Sequence, residues 1–291
     1  MPSLRHTLSA LYITRRLRYE YPGSDDALAD RARRERRNER PHPPRKFRDR
    51  LICETHGGYP VHTYRPHRIR HDARILYLHG GAYVRDLSPS HWKFVAQLGD
   101  RLSTEVVVPQ YPLAPESTWR SSRESLLELL SGDRAQRTIV AGDSAGGGLA
   151  LALAQGAVDR GVRPAGLLLI SPWVDLAVDP AFGSVDDDPW LTPDTLRSAG
   201  RLWAGDDDIR DPALSPIHGA VQGLPPTLIF QGTRDILYPS TAALITALTE
   251  SGAETDAVIG DGLIHVYPLL PCPEARRAAD RIDAFIERIL A

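Results

Sequence analysis

The stretch Gly142-Asp143-Ser144-Ala145-Gly146-Gly147 follows an apolar, β-branched run, Thr138-Ile139-Val140-Ala141. It precedes Leu149-Ala150-Leu151-Ala152-Leu153-Ala154, a run of good helix formers. A serine on such a strand-to-helix turn can present its Oγ as a nucleophile, with Gly142 and Gly146 relieving the crowding around it. A serine hydroxyl is a weak nucleophile and needs a base. A histidine acting as that base needs a carboxylate to fix its tautomer and stabilise its charged form. The chain offers both in order, Asp235 in Gln231-Gly232-Thr233-Arg234-Asp235 and His265 in Gly262-Leu263-Ile264-His265. A fourth stretch, His79-Gly80-Gly81-Ala82-Tyr83, has consecutive glycines whose N–H groups can turn toward a developing oxyanion. The N–H of Ala145, at the start of the helix, is a further donor to the same charge. The chemistry of such a set is acyl transfer through a covalent serine intermediate.

Taken singly, each of these residues has a plainer reading. Ser144 fits a small residue in a glycine-rich connection, Gly80-Gly81 a tight turn, Asp235 a helix cap and His265 a surface histidine. His79 reads as a side chain that fixes its own loop rather than as a proton carrier. Shared position separates the two readings. All four stretches follow strand-like runs, at 75–78, 138–141, 227–230 and 256–259, and the triad order Ser, Asp, His is kept. Asp211 and Asp261 compete less well for the acid. Asp211 lies outside the strand ends, and Asp261 crowds His265 in the same loop.

Two more strand-like runs lie at 105–108 and 167–170, and runs at 53–56 and 61–64 flank Gly57-Gly58 as an antiparallel hairpin. Helical stretches are expected at about 90–102, 118–130, 145–160, 239–251 and 274–290. Strand-helix-strand alternation of this kind builds a parallel sheet with helices on both faces, whose ligand crevice lies beyond the carboxyl ends of the strands. Residues 175–215 break the alternation with four prolines and two aspartate triplets, 186–188 and 206–208. The triplets read as solvated loop acid, since no glycine-spaced calcium loop accompanies them. A helix is expected to start at Thr192-Pro193-Asp194. Tyr83, Trp92, Trp173, Trp190 and Trp203 are candidates to line a pocket or simply to pack. Tyr83, Trp92, Trp173 and Trp203 are the substrate contacts expected.

The chain has 291 residues, 42% hydrophobic and 25% charged, ample for a core without disulfides or metal. Cys53 and Cys272 sit far apart and form no ligand spacing, so no metal site and no oxidising compartment are called for. No apolar run approaches the roughly 18–20 residues of a membrane span, so no membrane insertion is expected. The apolar stretch 10–13 is too short for a secretory signal, while the acid-free, Arg- and Ser-containing start leaves a transit peptide open. The location expected is cytoplasmic. The net charge of −2 hides 14 Arg/Lys against 7 Asp/Glu within residues 1–50. Interleaved Glu35, Glu39 and Asp49, with no aromatic stacking platform, make 31–50 a solvated helix ending at Pro41-His42-Pro43-Pro44. No nucleic-acid partner is expected.

In its joint motifs the chain resembles the hormone-sensitive-lipase-like group of α/β-hydrolase esterases, which includes bacterial carboxylesterases and acetyl-hydrolases. The matching stretches are His79-Gly80-Gly81-Ala82-Tyr83, Tyr111-Pro112-Leu113-Ala114-Pro115-Glu116, Gly142-Asp143-Ser144-Ala145-Gly146-Gly147, Gly232-Thr233-Arg234-Asp235 and Gly262-Leu263-Ile264-His265. They cover roughly 75–270. The resemblance implies an α/β-hydrolase fold with a mostly parallel eight-stranded sheet flanked by helices. A helical cap, built from an N-terminal segment 1–45 and an insertion 175–215, would cover a core of 46–174 and 216–291. It implies Ser144, Asp235 and His265 as catalytic residues and Gly80, Gly81 and Ala145 as the oxyanion hole. The reaction implied is hydrolysis of a small-molecule acyl ester, without metal or cofactor. Amidase or peptidase chemistry shares the machinery, and some fold relatives only bind small molecules, having lost the histidine that is present here as His265. Oligomeric state stays open, with the terminal strand and final helix as the surface through which a homodimer would pair. Two departures stand out: Ala82 replaces a frequent third glycine, and Pro239 replaces a second acid four residues beyond Asp235. Ala82 should leave the N–H groups of Gly80 and Gly81 available.

Overall fold

A computed structural model describes residues 1–16, 22–38, 43–132 and 134–290. Two helices, α1 (Leu4–Arg16) and α2 (Asp25–Asn38), precede a hairpin of β1 (Leu51–His56) and β2 (Tyr59–Tyr64). Alternation then begins with β3 (Arg74–Leu78), α3 (Pro89–Leu102), β4 (Glu105–Pro109), α4 (Arg123–Glu128), β5 (Thr138–Asp143), α5 (Ala145–Asp159) and β6 (Gly166–Ile170). After α6 (Pro193–Ala204) come β7 (Thr227–Gly232), α7 (Tyr238–Glu250), β8 (Thr255–Gly260) and α8 (Pro273–Leu290). The eight strands form one sheet in the order β1-β2-β4-β3-β5-β6-β7-β8, antiparallel through β1, β2 and β4 and parallel from β4 to β8.

The period-2 alternation of the strands sorts their side chains to two faces. Ile75 and Tyr77 of β3, with Ile139 and Ala141 of β5, join a core with Trp92, Val95, Ile282 and Ile286 from α3 and α8. Leu76, Leu78 and Val140 face the other core, with Leu149, Ala150 and Leu153 of α5. Both faces are covered, so β5 and β6 are buried at every position. Each fully buried Leu, Ile or Val stabilises the fold by about 1.5–3 kcal/mol. This central stiffness holds the ends of β5, β7 and β8 in fixed relation.

Three local expectations change. The helix expected over 118–130 shortens to α4, after a 3₁₀ turn at Trp119–Ser121. The Trp119 indole N–H and the Arg120 guanidinium both donate to Asp207, and this tertiary anchor outweighs helical propensity there. The basic stretch is not a merely solvated helix either. α2 buries Leu28, Ala29 and Ala32, and Arg36 donates to the carbonyls of Val84 and Ala114. Pro41 and His42 of the expected breaker lie outside the described residues. Helix α1 had no counterpart in the pattern reading. Its signal is Ser3, whose Oγ accepts from the His6 N–H at 3.2 Å as an N-cap does.

Candidate active site

Ser144 sits between the end of β5 and the start of α5 with φ 53° and ψ −123°, a left-handed turn that a non-glycine residue rarely adopts. Backbone bonds hold it there. Its N–H donates to Ile170 O at 2.9 Å, and its carbonyl accepts from Gly148 and Trp173. The flanking glycines are required by close approach. A methyl on Gly142 would strike the Gly146 carbonyl, and one on Gly146 the carbonyl of Leu78. The turn is therefore sharp because the backbone of α5 packs directly against the ends of β5 and β3.

Ser144 Oγ lies 2.9 Å from His265 Nε2, and His265 Nδ1 lies 2.7 Å from Asp235 Oδ2. A carboxylate only accepts, so the His265 proton sits on Nδ1, and Nε2 is left to receive the Ser144 proton. Asp235 is fully buried and also accepts from the Gln231 amide and from Leu237 N–H. His265 is equally enclosed. Burial alone pulls its pKa down, yet the charge and hydrogen bond of Asp235, with Asp188 and Asp143 adding, raise it above the ordinary value of 6.5. The three residues named from sequence thus meet in one hydrogen-bonded chain.

One of the oxyanion donors expected from sequence is already engaged. Gly80 N–H donates to Asp143 Oδ1 at 3.0 Å, so it is not available to an oxyanion. Asp143 also accepts from the Tyr77 hydroxyl and lies 3.5 Å from His91 Nε2. Burial pushes its pKa up, but His91, Tyr77 and Gly80 outweigh that and hold the carboxyl ionised. The carboxylate beside Ser144 is thus a brace for the glycine loop. Among the described residues nothing accepts from the N–H groups of Gly81, Ala82 or Ala145. Ala82 has φ 53°, the left-handed region that glycine fills more readily. His79 fits the structural role expected for it: its ring stacks on Tyr111 at 4.5 Å, and its Nδ1 lies 2.7 Å from Gly80 O.

A cavity of ≈ 280 Å³ opens over Ser144 and His265. Its apolar wall is Trp190, Leu191, Leu196, Val266, Leu269 and Leu270, and Arg85, Asp86, Ser88 and His91 face it on the polar side. None of the expected substrate contacts lines it. Tyr83 is buried with its hydroxyl donating to Ala145 O at 2.7 Å, and its ring stacks on Trp203 at 4.5 Å and lies near Trp173. Trp92 packs edge-on against His62. These four are core, and large aromatics are more often buried for their area than exposed to ligand. Trp190 does reach the site, its ring edge-on to His265 at 5.8 Å and 79°.

One aspartate of the first triplet is not loop acid in solvent. Asp188 is 6% exposed. Its Oδ1 accepts from Trp190 and Leu191 N–H, and its Oδ2 from Ile236 N–H at 2.9 Å. Desolvation, with the nearby Asp235 charge adding, pushes its pKa up to about 6 against those three hydrogen bonds. Asp207 of the second triplet is likewise engaged, by Trp119 and Arg120.

Residues 75–269 match the family model for the alpha/beta hydrolase fold. This chain belongs to the α/β-hydrolase family. An acetyl-hydrolase of Streptomyces hygroscopicus is 36% identical over 231 residues, covering 75% of this chain and 76% of the relative. An esterase of Acinetobacter venetianus is 27% identical, covering 72% and 73%. Among solved structures, an esterase of the bacterial hormone-sensitive lipase family superposes with a TM-score of 0.81 at 25% identity over the full length of both chains. A hormone-sensitive lipase from a metagenome library gives 0.80 at 27% identity, covering 98% of this chain and 97% of that one.

Proposed function

We propose that this α/β-hydrolase is a serine carboxylesterase that hydrolyses small acyl esters through an acyl-enzyme. Ser144 Oγ attacks the ester carbonyl while His265 Nε2 takes its proton, and Asp235 stabilises the imidazolium that forms. The N–H groups of Gly81, Ala82 and Ala145 receive the oxyanion. Collapse of the tetrahedral species expels the alcohol, which leaves with the proton from His265. Water, activated by the same histidine, then releases the acid and restores Ser144. Residues 1–45 and 175–215 act as the cap in this reading, and 46–174 with 216–291 as the core.

The observation that carries the reading is the Ser144–His265–Asp235 chain at 2.9 and 2.7 Å, with the N–H groups of Gly81, Ala82 and Ala145 left without acceptors among the described residues. The relatives named acetyl-hydrolase and esterase support it. The test is p-nitrophenyl acetate turnover by the wild type and Ser144→Ala. A loss of about 10³-fold or more is expected on removal of the nucleophile, and substantial residual turnover would overturn the assignment.

A further inference from the structure

Two residues from outside the strand ends reach the backbone beside the triad. His6 of α1 accepts through Nε2 from Ile264 N–H at 3.2 Å, one residue before His265. Asp188, in the stretch between β6 and β7, accepts through Oδ2 from Ile236 N–H at 2.9 Å, one residue after Asp235. Both side chains are buried, His6 at 1% and Asp188 at 6% exposure. A buried N–H in a loop has no strand or helix partner, so each of these acceptors satisfies a donor that would otherwise be costly.

The two contacts belong to one packed unit. Ala10 and Ile13 of α1 pack on Ile264, with Trp190 and Leu270 against them. Trp190 in turn sits on the edge of His265, and its N–H is one of the donors that Asp188 binds. Asp188 therefore holds the Asp235 loop with one oxygen and the Trp190 backbone with the other. His6 holds the third side of the same patch, from a helix more than 250 residues away in sequence.

We infer that His6 and Asp188 are positioning residues that clamp the two loops carrying Asp235 and His265, so that the covering segments set the triad geometry as well as enclosing the substrate. The inference rests on the acyl-enzyme reading. His6 acts as a neutral ring with its proton on Nδ1, because only a lone pair on Nε2 can receive the Ile264 N–H. Asp188 acts through two oxygens at once, which an amide cannot copy. Asparagine has one acceptor oxygen, so one side of the clamp would face an NH₂ group.

The test compares His6→Phe, His6→Gln and Asp188→Asn with the wild type, each normalised by titrating Ser144 with an organophosphonate ester. Phenylalanine keeps the ring and loses the acceptor, whereas glutamine keeps an oxygen that reaches the same N–H. The expected result is a fall in kcat of about 10- to 100-fold in His6→Phe and Asp188→Asn, with KM within about twofold, and recovery in His6→Gln. The low-field proton resonance of the His265–Asp235 bond should broaden in the first two variants and return in the third. A merely structural role would lower thermal stability and leave this resonance and kcat per titrated site unchanged, and that outcome overturns the inference. If the variants do not fold, amide exchange on the wild type decides: Ile236 and Ile264 N–H should be protected like the β7 amides, and fast exchange sinks the clamp. Absence of labelling at Ser144 in the wild type would instead sink the acyl-enzyme reading, leaving the exchange result to judge the clamp alone.

Discussion

In the proposed mechanism His265 must be neutral at Nε2 to take the Ser144 proton, so activity should be lost as pH falls through its pKa. Because the surrounding carboxylates raise that pKa above 6.5, the acid limb of kcat/KM should lie above pH 6.5. Asp188 contributes to the rise and, titrating near 6, is mostly ionised there. Asp188→Asn should therefore move the limb to lower pH, measured as the kcat/KM profile on p-nitrophenyl acetate from pH 5 to 9. A limb that stays in place would mean that the Asp188 charge does not reach His265. At this scale the meeting of Ser144, Asp235 and His265 was legible in sequence, since each follows a parallel strand of one sheet. Which backbone donors are free was not. Gly80 and Ala82 differ in what their N–H groups face, and that depends on Asp143, more than 60 residues away.

The elbow between β5 and α5 is where an element, rather than a side chain, sets the geometry. Gly146 lies against the Leu78 carbonyl, the last residue of β3 and the start of the glycine loop. Gly146→Ala would force α5 away from β3 and disturb Ser144 and the glycine loop after β3 together. Overpacking of this kind costs about 1–3 kcal/mol. A melting point several degrees lower, by roughly 2–4 °C per kcal/mol, and a reduced kcat are expected. Gly156→Ala on the same helix is the comparison. Its added methyl would meet Arg123 and Leu127 at 3.4 Å, ordinary contact, and should leave kcat within error without lowering the melting point. The strands were legible because their apolar runs sit between turn residues. Helix α1 and the short α4 were not: α1 is marked only by Ser3, and α4 is trimmed by contacts to Asp207.

Over the whole molecule, two separate segments meet beside the cavity. Asp25 at the start of α2 binds Ser198 and Arg201 of α6, and Glu35 binds Arg85 beside the cavity. The resemblance implied that these segments form a cap, but the side chains through which they meet were not legible in the sequence. Trp190, Leu191 and Leu196 come from one segment, while Leu269 and Leu270 come from the loop after His265, and together they close the apolar side. The cavity of ≈ 280 Å³ is at the small end of the roughly 300–1,000 Å³ found for ligand pockets. In the proposed reaction it would hold both acyl chain and alcohol, and a long acyl chain outgrows it. The kcat/KM of p-nitrophenyl esters should therefore be highest for acetate to butyrate and fall by about tenfold or more by decanoate, a penalty of about 1.4 kcal/mol. Leu191→Ala, which enlarges the apolar side without touching the triad, should shift that optimum toward longer chains. A profile that rises through decanoate in the wild type would mean that the covering segments open readily and do not set the size of the substrate.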